Sequence, residues 1–157
     1  MIRHSPGPIL SISRLLFSYP DKPGVLRGID LDIGPGERVG VIGPNGAGKT
    51  TLFLLVSGIL KPDAGEVLLF GEPVRPGAFR PDLGIVFQNP DDQLFCPTVW
   101  DDVAFGPQNL GLSRSEVAGR VEAALVLTGC AALAPRPPHH LSGGEKRMVS
   151  IAGVLAM

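Results

Sequence analysis

A chain of 157 residues has room for one globular body with a subdomain, and is short for anything with two large lobes. A hydrophobic fraction of 44%, a charged fraction of 18% and a formal net charge of −1 exclude a disordered polyelectrolyte and a basic surface built to coat nucleic acid. The two cysteines, Cys96 and Cys130, lie far apart without metal-ligand spacing, which argues against a disulfide framework or a zinc site and fits a reducing cytosol.

The opening "MIRHSPGPIL" lacks an apolar stretch of signal-peptide length. The greasiest later run, "TLFLLVSGIL", is about half of what a bilayer requires. The chain itself is therefore expected to be soluble, with membrane contact only through partners. Ile29, Leu31 and Ile33 alternate with Asp30 and Asp32, "GPGE" turns the chain, and "RVGVIG" follows, so a half-buried strand, a tight turn and a more buried strand are predicted. After Gly48 the period changes. Leu52, Leu55, Val56, Ile59 and Leu60 recur at helical spacing, predicting a helix that ends near Gly58 to Pro62. "EVLLFG" and "LGIVFQ" are two further strand candidates, separated by the turn-rich "EPVRPGAFRPD".

From about Pro97 the texture becomes helical. Thr98 stands three residues before Asp101 and Ser113 three before Glu116, two box-like starts in which side chains cap free backbone N–H groups. Val117, Val121, Ala124 and Leu125 share one face of the second of these helices. "APRPPHH" breaks it, and Ser142 opens a last helix with Met148, Ile151, Ala152 and Leu155 as its expected buried stripe.

"GPNGAGKT", Gly43 to Thr50, has the spacing of a phosphate loop and stands between a predicted strand and a predicted helix. The chemistry explains the residue types. Gly43, Gly46 and Gly48, with Pro44, Asn45 and Ala47 between them, let the backbone wrap so closely that N–H groups converge on one anion, and the helix adds its positive end. Lys49 can bridge outer phosphates, and the Thr50 hydroxyl, next to Thr51, can hold a magnesium ion. A Gly-rich turn matching by chance is the bland alternative, and the flanking strand, helix and Lys-Thr pair argue against it. The loop alone specifies ATP or GTP and little more.

"LSGGE", Leu141 to Glu145, narrows the class. Ser142 lies 93 residues beyond Lys49, and Gly143 and Gly144 at a helix start expose N–H groups to an incoming anion. Taken alone, Ser142 and Glu145 form a capping box. Beside the phosphate loop, the capping box becomes part of a functional turn.

These two motifs in this order resemble the ATP-binding subunits of ABC transporters, from about residue 9 to the end of the chain. The resemblance implies an α/β P-loop NTPase fold with an N-terminal antiparallel β subdomain, a helical subdomain and a core sheet left incomplete at the C-terminus. It divides the chain into residues 1–92 with the phosphate loop and Q-loop, 93–141 as the helical subdomain, and 142–157 as the signature helix. Tyr19, in "FSYP", sits where the family places an aromatic that stacks on adenine; by itself it is an ordinary strand-end aromatic. Gln88 sits where the Q-loop glutamine touches magnesium and senses the transmembrane partner; by itself it is a polar loop residue. ATP and Mg²⁺ are the implied ligands. Two such subunits pair head to tail, so the turn from Ser142 to Glu145 of one copy is expected over the phosphates held by Gly43 to Thr51 of another.

The run from Val86 to Leu112, "VFQNPDDQLFCPTVWDDVAFGPQNLGL", is similar to the energy-coupling-factor branch of importers, which take up cobalt, nickel or vitamins. "NPDDQLF" then falls where that family meets a coupling helix of its membrane subunit. Asp91 and Asp92 are adjacent loop residues that tend to point apart, which favours a solvated acidic patch or a partner contact over a catalytic carboxylate pair. His139 and His140 lack a spaced third ligand for a metal.

The family continues beyond its signature helix into a strand ending in a magnesium-supporting aspartate, then a glutamate that polarises the attacking water. Neither follows "SIAGVLAM" here, so the chain is expected to be a fragment or truncated product of a longer ATPase, without a general base of its own. Three readings result. The first is a nucleotide-binding subunit that couples ATP hydrolysis to import at the cytoplasmic face of the membrane, paired with a second copy or a paralogue. The second is a nucleotide-binding module that docks without turnover. The third, a soluble ABC ATPase of DNA repair or translation, is disfavoured by the "NPDDQLF" surface and by the lack of a basic stripe.

Overall fold

The hairpin that opens the fold follows from the alternation in the sequence. In the computed structural model, which describes residues 7–157, β1 (Leu10–Tyr19) and β2 (Lys22–Ile33) pair antiparallel from Leu10↔Ile33 to Tyr19↔Lys22. The first six residues of the stretch read for a leader lie outside the described residues. On β2, Ile29, Leu31 and Ile33 are half-buried and Asp30 and Asp32 exposed, as the period-2 pattern requires. On β1 the buried residues are Ile12, Leu15 and Phe17, a spacing that a regular strand cannot put on one face. A register irregularity between Ile12 and Leu15 solves this, with Arg14 in the left-handed region at φ 47°. The Asp30 carboxylate accepts the Arg14 N–H at 2.7 Å, so the bulged residue keeps a backbone partner.

β3 (Ala64–Leu69) pairs with the other edge of β1 and carries β4 (Glu72–Pro73), giving an antiparallel sheet ordered β2-β1-β3-β4. Helix α1 (Lys49–Val56) supplies Leu52 and Leu55 to a core shared with Ile12, Leu15, Phe17, Leu26 and Val67. It ends a little before the predicted Gly58, with Ser57 N–H closing on the Phe53 carbonyl at 2.9 Å.

Two predicted strands do not form ladders among the described residues. The "RVGVIG" stretch is expected to be a buried strand, yet only Val41 rests against the core, while Val39 is 48% and Ile42 94% exposed. "LGIVFQ" alternates half-buried and exposed residues from Leu83 to Gln88 as a strand would, again without a paired neighbour. The physical reason is common to both. Alternation dictates which face is apolar, whereas a ladder needs a second strand beside it.

The chain forms two compact units that divide between Arg80 and Pro81. The second is helical. Its helices are α2 (Val99–Asn109), α3 (Arg114–Leu127) and α4 (Gly143–Leu155). Both predicted boxes cap as expected. Thr98 accepts the Asp101 N–H, and Ser113 and Glu116 satisfy each other's backbone N–H groups. Val117, Val121, Ala124 and Leu125 are buried with Val99, Val103, Ala104, Val149 and Ala152 in one core.

The face of α4 buries Ala152 as expected but differs at the other three positions. Met148 and Leu155 are exposed, at 39% and 52%, and Ile151 is half-buried, whereas Val149, Ser150, Ala152 and Ala156 are buried. Residues 148, 151 and 155 and residues 149, 152 and 156 have the same helical spacing, so periodicity offers two interleaved stripes. Packing selects the smaller residues, which let α4 approach α2 and α3 closely.

Candidate functional site

The phosphate-loop residues sit between the core-anchored Val41 and α1, and their conformation is dictated by glycine. Gly48, the N-cap of α1, is left-handed at φ 92° and ψ 8°. A Cβ there would stand 2.9 Å from Leu26 Cδ2 and 3.2 Å from the Val25 carbonyl oxygen. Any other residue is strained by the positive φ, and its Cβ would need the Leu26 and Val25 side chains and the Val25 carbonyl to give by a few tenths of an ångström. With Gly46 also left-handed, at φ 79°, the loop has two positive-φ glycines two residues apart, a backbone pattern suited to an anion-binding concavity.

Three further features make this concavity electropositive. The first intrahelical bond of α1 runs from Leu52 N–H to the Gly48 carbonyl at 2.9 Å, so the amides of Lys49, Thr50 and Thr51 precede it. Lys49 Nζ folds back and donates to the Gly43 and Pro44 carbonyls, each at 2.8 Å. Lys22 Nζ donates to the Gly46 carbonyl at 3.2 Å, placing a second ammonium at the loop. Sequence reasoning missed Lys22. Its only signal is the register of the hairpin, which sets it opposite Tyr19.

The four helices also differ at their starts. α2, α3 and α4 each have a side-chain N-cap and at least one acidic residue in the first turn. α1 has neither. Its positive end is therefore not offset within its own first turn, where the other helices offset theirs.

Tyr19 is brought to the loop helix. Its hydroxyl lies 3.3 Å from the buried Thr51 Oγ1, and its ring meets Phe17 edge-on with centroids 4.9 Å apart. Thr50, by contrast, is exposed at the mouth of the loop. The Thr50 hydroxyl is an oxygen of the kind a hard cation takes, and no group of three His, Cys, Asp or Glu gathers among the described residues.

In the helical unit, Ser142 and Glu145 form the predicted capping box. Glu145 N–H donates to Ser142 Oγ at 3.3 Å, while the Ser142 N–H and hydroxyl donate to Glu145 Oε2 at 2.8 and 2.7 Å. The Ser142 hydroxyl, then its backbone N–H, hold the Glu145 carboxyl below the usual carboxylate range. Gly143 and Gly144 are exposed, and nothing among the described residues lies within 4 Å of a Cβ built at either. Local packing gives no reason for glycine there.

Gln88 is exposed, and its backbone carbonyl accepts from Arg147 Nη2 at 2.8 Å. The acidic neighbours separate as expected of adjacent loop residues. Asp91 pairs with Lys146 at 2.6 Å, and Asp92 accepts from Asn89 Nδ2 at 3.1 Å. Asp91 is thus tied to α4 within the chain while its side chain stays 65% exposed, and Asp92 is exposed as well, as expected of a solvated acidic patch. His139 and His140 are exposed, with ring centroids 4.3 Å apart. Cys96 is held as a thiol, its pKa pushed up to about 11 by burial and by the Asp102 carboxylate beside it.

Comparison with known proteins identifies the family. The ABC transporter family pattern matches residues 26–157. The energy-coupling factor transporter ATP-binding protein EcfA of Methanothermobacter thermautotrophicus is 56% identical over 95% of this chain and 50% of its own length. EcfA of Methanocaldococcus jannaschii is 53% identical over 95% of this chain and 55% of its own. The structure of cbiO1 from Clostridium perfringens, described as part of the ABC transporter complex cbiONQ, superposes with a TM-score of 0.84 at 42% identity, covering 96% of this chain and 62% of that one. The chain spans about half the length of the curated relatives it matches. With a family match across most of its residues and the loop and signature turn in place, the chain belongs to the ATP-binding domain family of ABC transporters.

Proposed function

We propose that the chain is the nucleotide-binding part of an ATP-driven importer of the energy-coupling-factor type, acting at the cytoplasmic face of the membrane beside a transmembrane coupling subunit. The observation that carries this is the start of α1, which has neither a side-chain cap nor a first-turn acid and is overhung by the Lys49 ammonium. The loop amides and Lys49 would bind and orient the ATP phosphates, and Lys22 would add charge. Thr50, with Gln88, would hold Mg²⁺, which supplies charge neutralisation of the phosphates when bound. Tyr19 would stack on adenine. The turn from Ser142 to Glu145 would close over the phosphates of a second subunit, using the unobstructed Gly143 and Gly144. The cargo would be a metal ion such as cobalt or nickel, or a vitamin, crossing through the membrane partners. No helix among the described residues is long and apolar enough to cross a membrane.

A second reading is nucleotide binding without turnover, in which the capping bonds from both Ser142 donors keep Glu145 a structural carboxylate. Calorimetry with MgATP tests both. Lys49→Ala is expected to weaken binding about 10- to 100-fold, the range for losing charge-assisted contacts. Wild-type-like affinity in that variant refutes the site. Lys49-dependent phosphate release refutes the passive module, and binding without release supports it.

A further inference from the structure

The stretch from Gly84 to Gln93 follows α4, and its ties to that helix are specific. A Cβ at Gly84 would press into Val154. The Gln88 carbonyl is held by Arg147, and Asp91 by Lys146. Gln93 makes two bonds at once, its Oε1 accepting the Phe87 N–H at 3.2 Å and its Nε2 donating to the Ser150 carbonyl at 3.3 Å. Lys146, Ser150 and Val154 recur every four residues and share one side of α4. The backbone at Gln88 is therefore gripped on both sides, at Phe87 through Gln93 and at its own carbonyl through Arg147.

The ties differ in strength. The Arg147 bond is exposed and the Asp91 side chain is 65% exposed, so water and salt weaken both. Both Gln93 bonds are partly buried, and its amide is engaged at donor and acceptor ends together.

We propose that Gln93 is a positioning residue that couples the Gln88 backbone to the signature helix, so that a displacement at the Ser142 end of α4 is carried to Gln88. In the importer reading, on which its purpose rests, this links phosphate contact at Ser142 to the placement of the Gln88 amide. The coupling itself is a property of the helical unit. A demonstration requires the two ends to respond together, and proximity alone does not suffice.

Hydrogen exchange of the full 157-residue chain without nucleotide provides the test. Gln93→Met keeps the length and removes both bonds, and is expected to speed exchange at the Phe87 amide about fivefold, the protection of one net hydrogen bond. Gln93→Glu keeps an acceptor for Phe87 but, ionised, cannot donate to Ser150. Ser142→Ala opens the first turn of α4. It should speed exchange at the amides between residues 87 and 91, Pro90 having none, when Gln93 is present and leave them unchanged in both Gln93 variants.

Three results overturn the proposal. One is unaltered Phe87 exchange in Gln93→Met. Another is a Ser142→Ala effect that reaches 87–91 undiminished in the Gln93 variants. The third is a rise in exchange spread evenly over α2 and α3, which marks mere stabilisation. Should Gln93→Met not fold, Gln93→Glu alone carries the coupling comparison. Because no nucleotide is added, failure to bind ATP and failure of this coupling are separate outcomes.

Discussion

α1 and α4 both begin with glycines, and both starts are placed by family resemblance against phosphate, yet they are built on opposite plans. At α1 the chain withholds every local partner: no side-chain cap, no first-turn acid, and a left-handed Gly48 set tightly against β2. At α4 the chain satisfies itself, with Ser142 and Glu145 bonding reciprocally and two glycines that nothing nearby requires. The first plan leaves backbone donors unengaged in a conformation that favours glycine, which the proposed function uses as an anion cradle. The second makes a self-sufficient helix start whose open glycines, in the proposed function, give access to a second subunit. Glycine thus carries different information at the two sites, conformation at one and access at the other.

The comparison is broken most directly at Gly48. Gly48→Ala must hold φ near 92° with a methyl against Leu26 and Val25, and is expected to lower unfolding stability by about 1–3 kcal/mol. Urea titration should show an earlier midpoint at unchanged slope. An unmoved midpoint would mean that the loop relaxes at little cost, and that its glycines, like those of α4, are there for access.

Gly144→Ala should do the reverse. The residue lies in the first turn of α4 outside the left-handed region, with open space around it, so alanine is expected to add about 0.5–1 kcal/mol of helix stability. In the assembled transporter of the proposed function the same methyl would stand where phosphate approaches. A variant more stable yet weaker in ATP-dependent pairing is the expected signature, read by thermal unfolding and by sedimentation with MgATP. A loss of stability would show that glycine is needed locally after all, and the contrast with Gly48 would disappear.

What could be read in the sequence follows the same division between local and non-local causes. Thr98, Ser113 and Ser142 were legible as caps because the partner of each lies three residues away. The phosphate loop was legible because its spacing is itself the chemistry. Residues 38–43 and 83–88 were misread as sheet strands because pairing depends on a distant strand, not on their own alternation. On α4 Ala152 is buried as expected, but Met148 and Leu155 were expected there too because they are greasier than Ala156, while the helix–helix contact selects for size. Lys22 and Gln93 escaped notice for a further reason. Each acts on a backbone atom of another segment, Lys22 on the Gly46 carbonyl and Gln93 on Phe87 and Ser150, and no residue pattern announces such a bond.

The smallest expected effect concerns acid, and it separates the two helix starts once more. The Glu145 carboxyl is held below its usual range by the Ser142 hydroxyl and N–H, and Glu116 likewise by Ser113. A carboxyl depressed in the folded state contributes stability that is present above its unfolded pKa and is lost as pH falls through the folded value. The starts of α3 and α4 should therefore lose amide protection together on acidification below the ordinary carboxylate range of about 4, while α1, with no first-turn acid, should show no local change in that window. Glu145→Gln keeps a side-chain acceptor without a titrating group, so the start of α4 should become insensitive to acid while the start of α3 still responds. If Glu145→Gln leaves the acid response at Ser142 intact, the capping carboxylate is not its source, and the self-sufficiency assigned to this turn has to come from elsewhere in the helix.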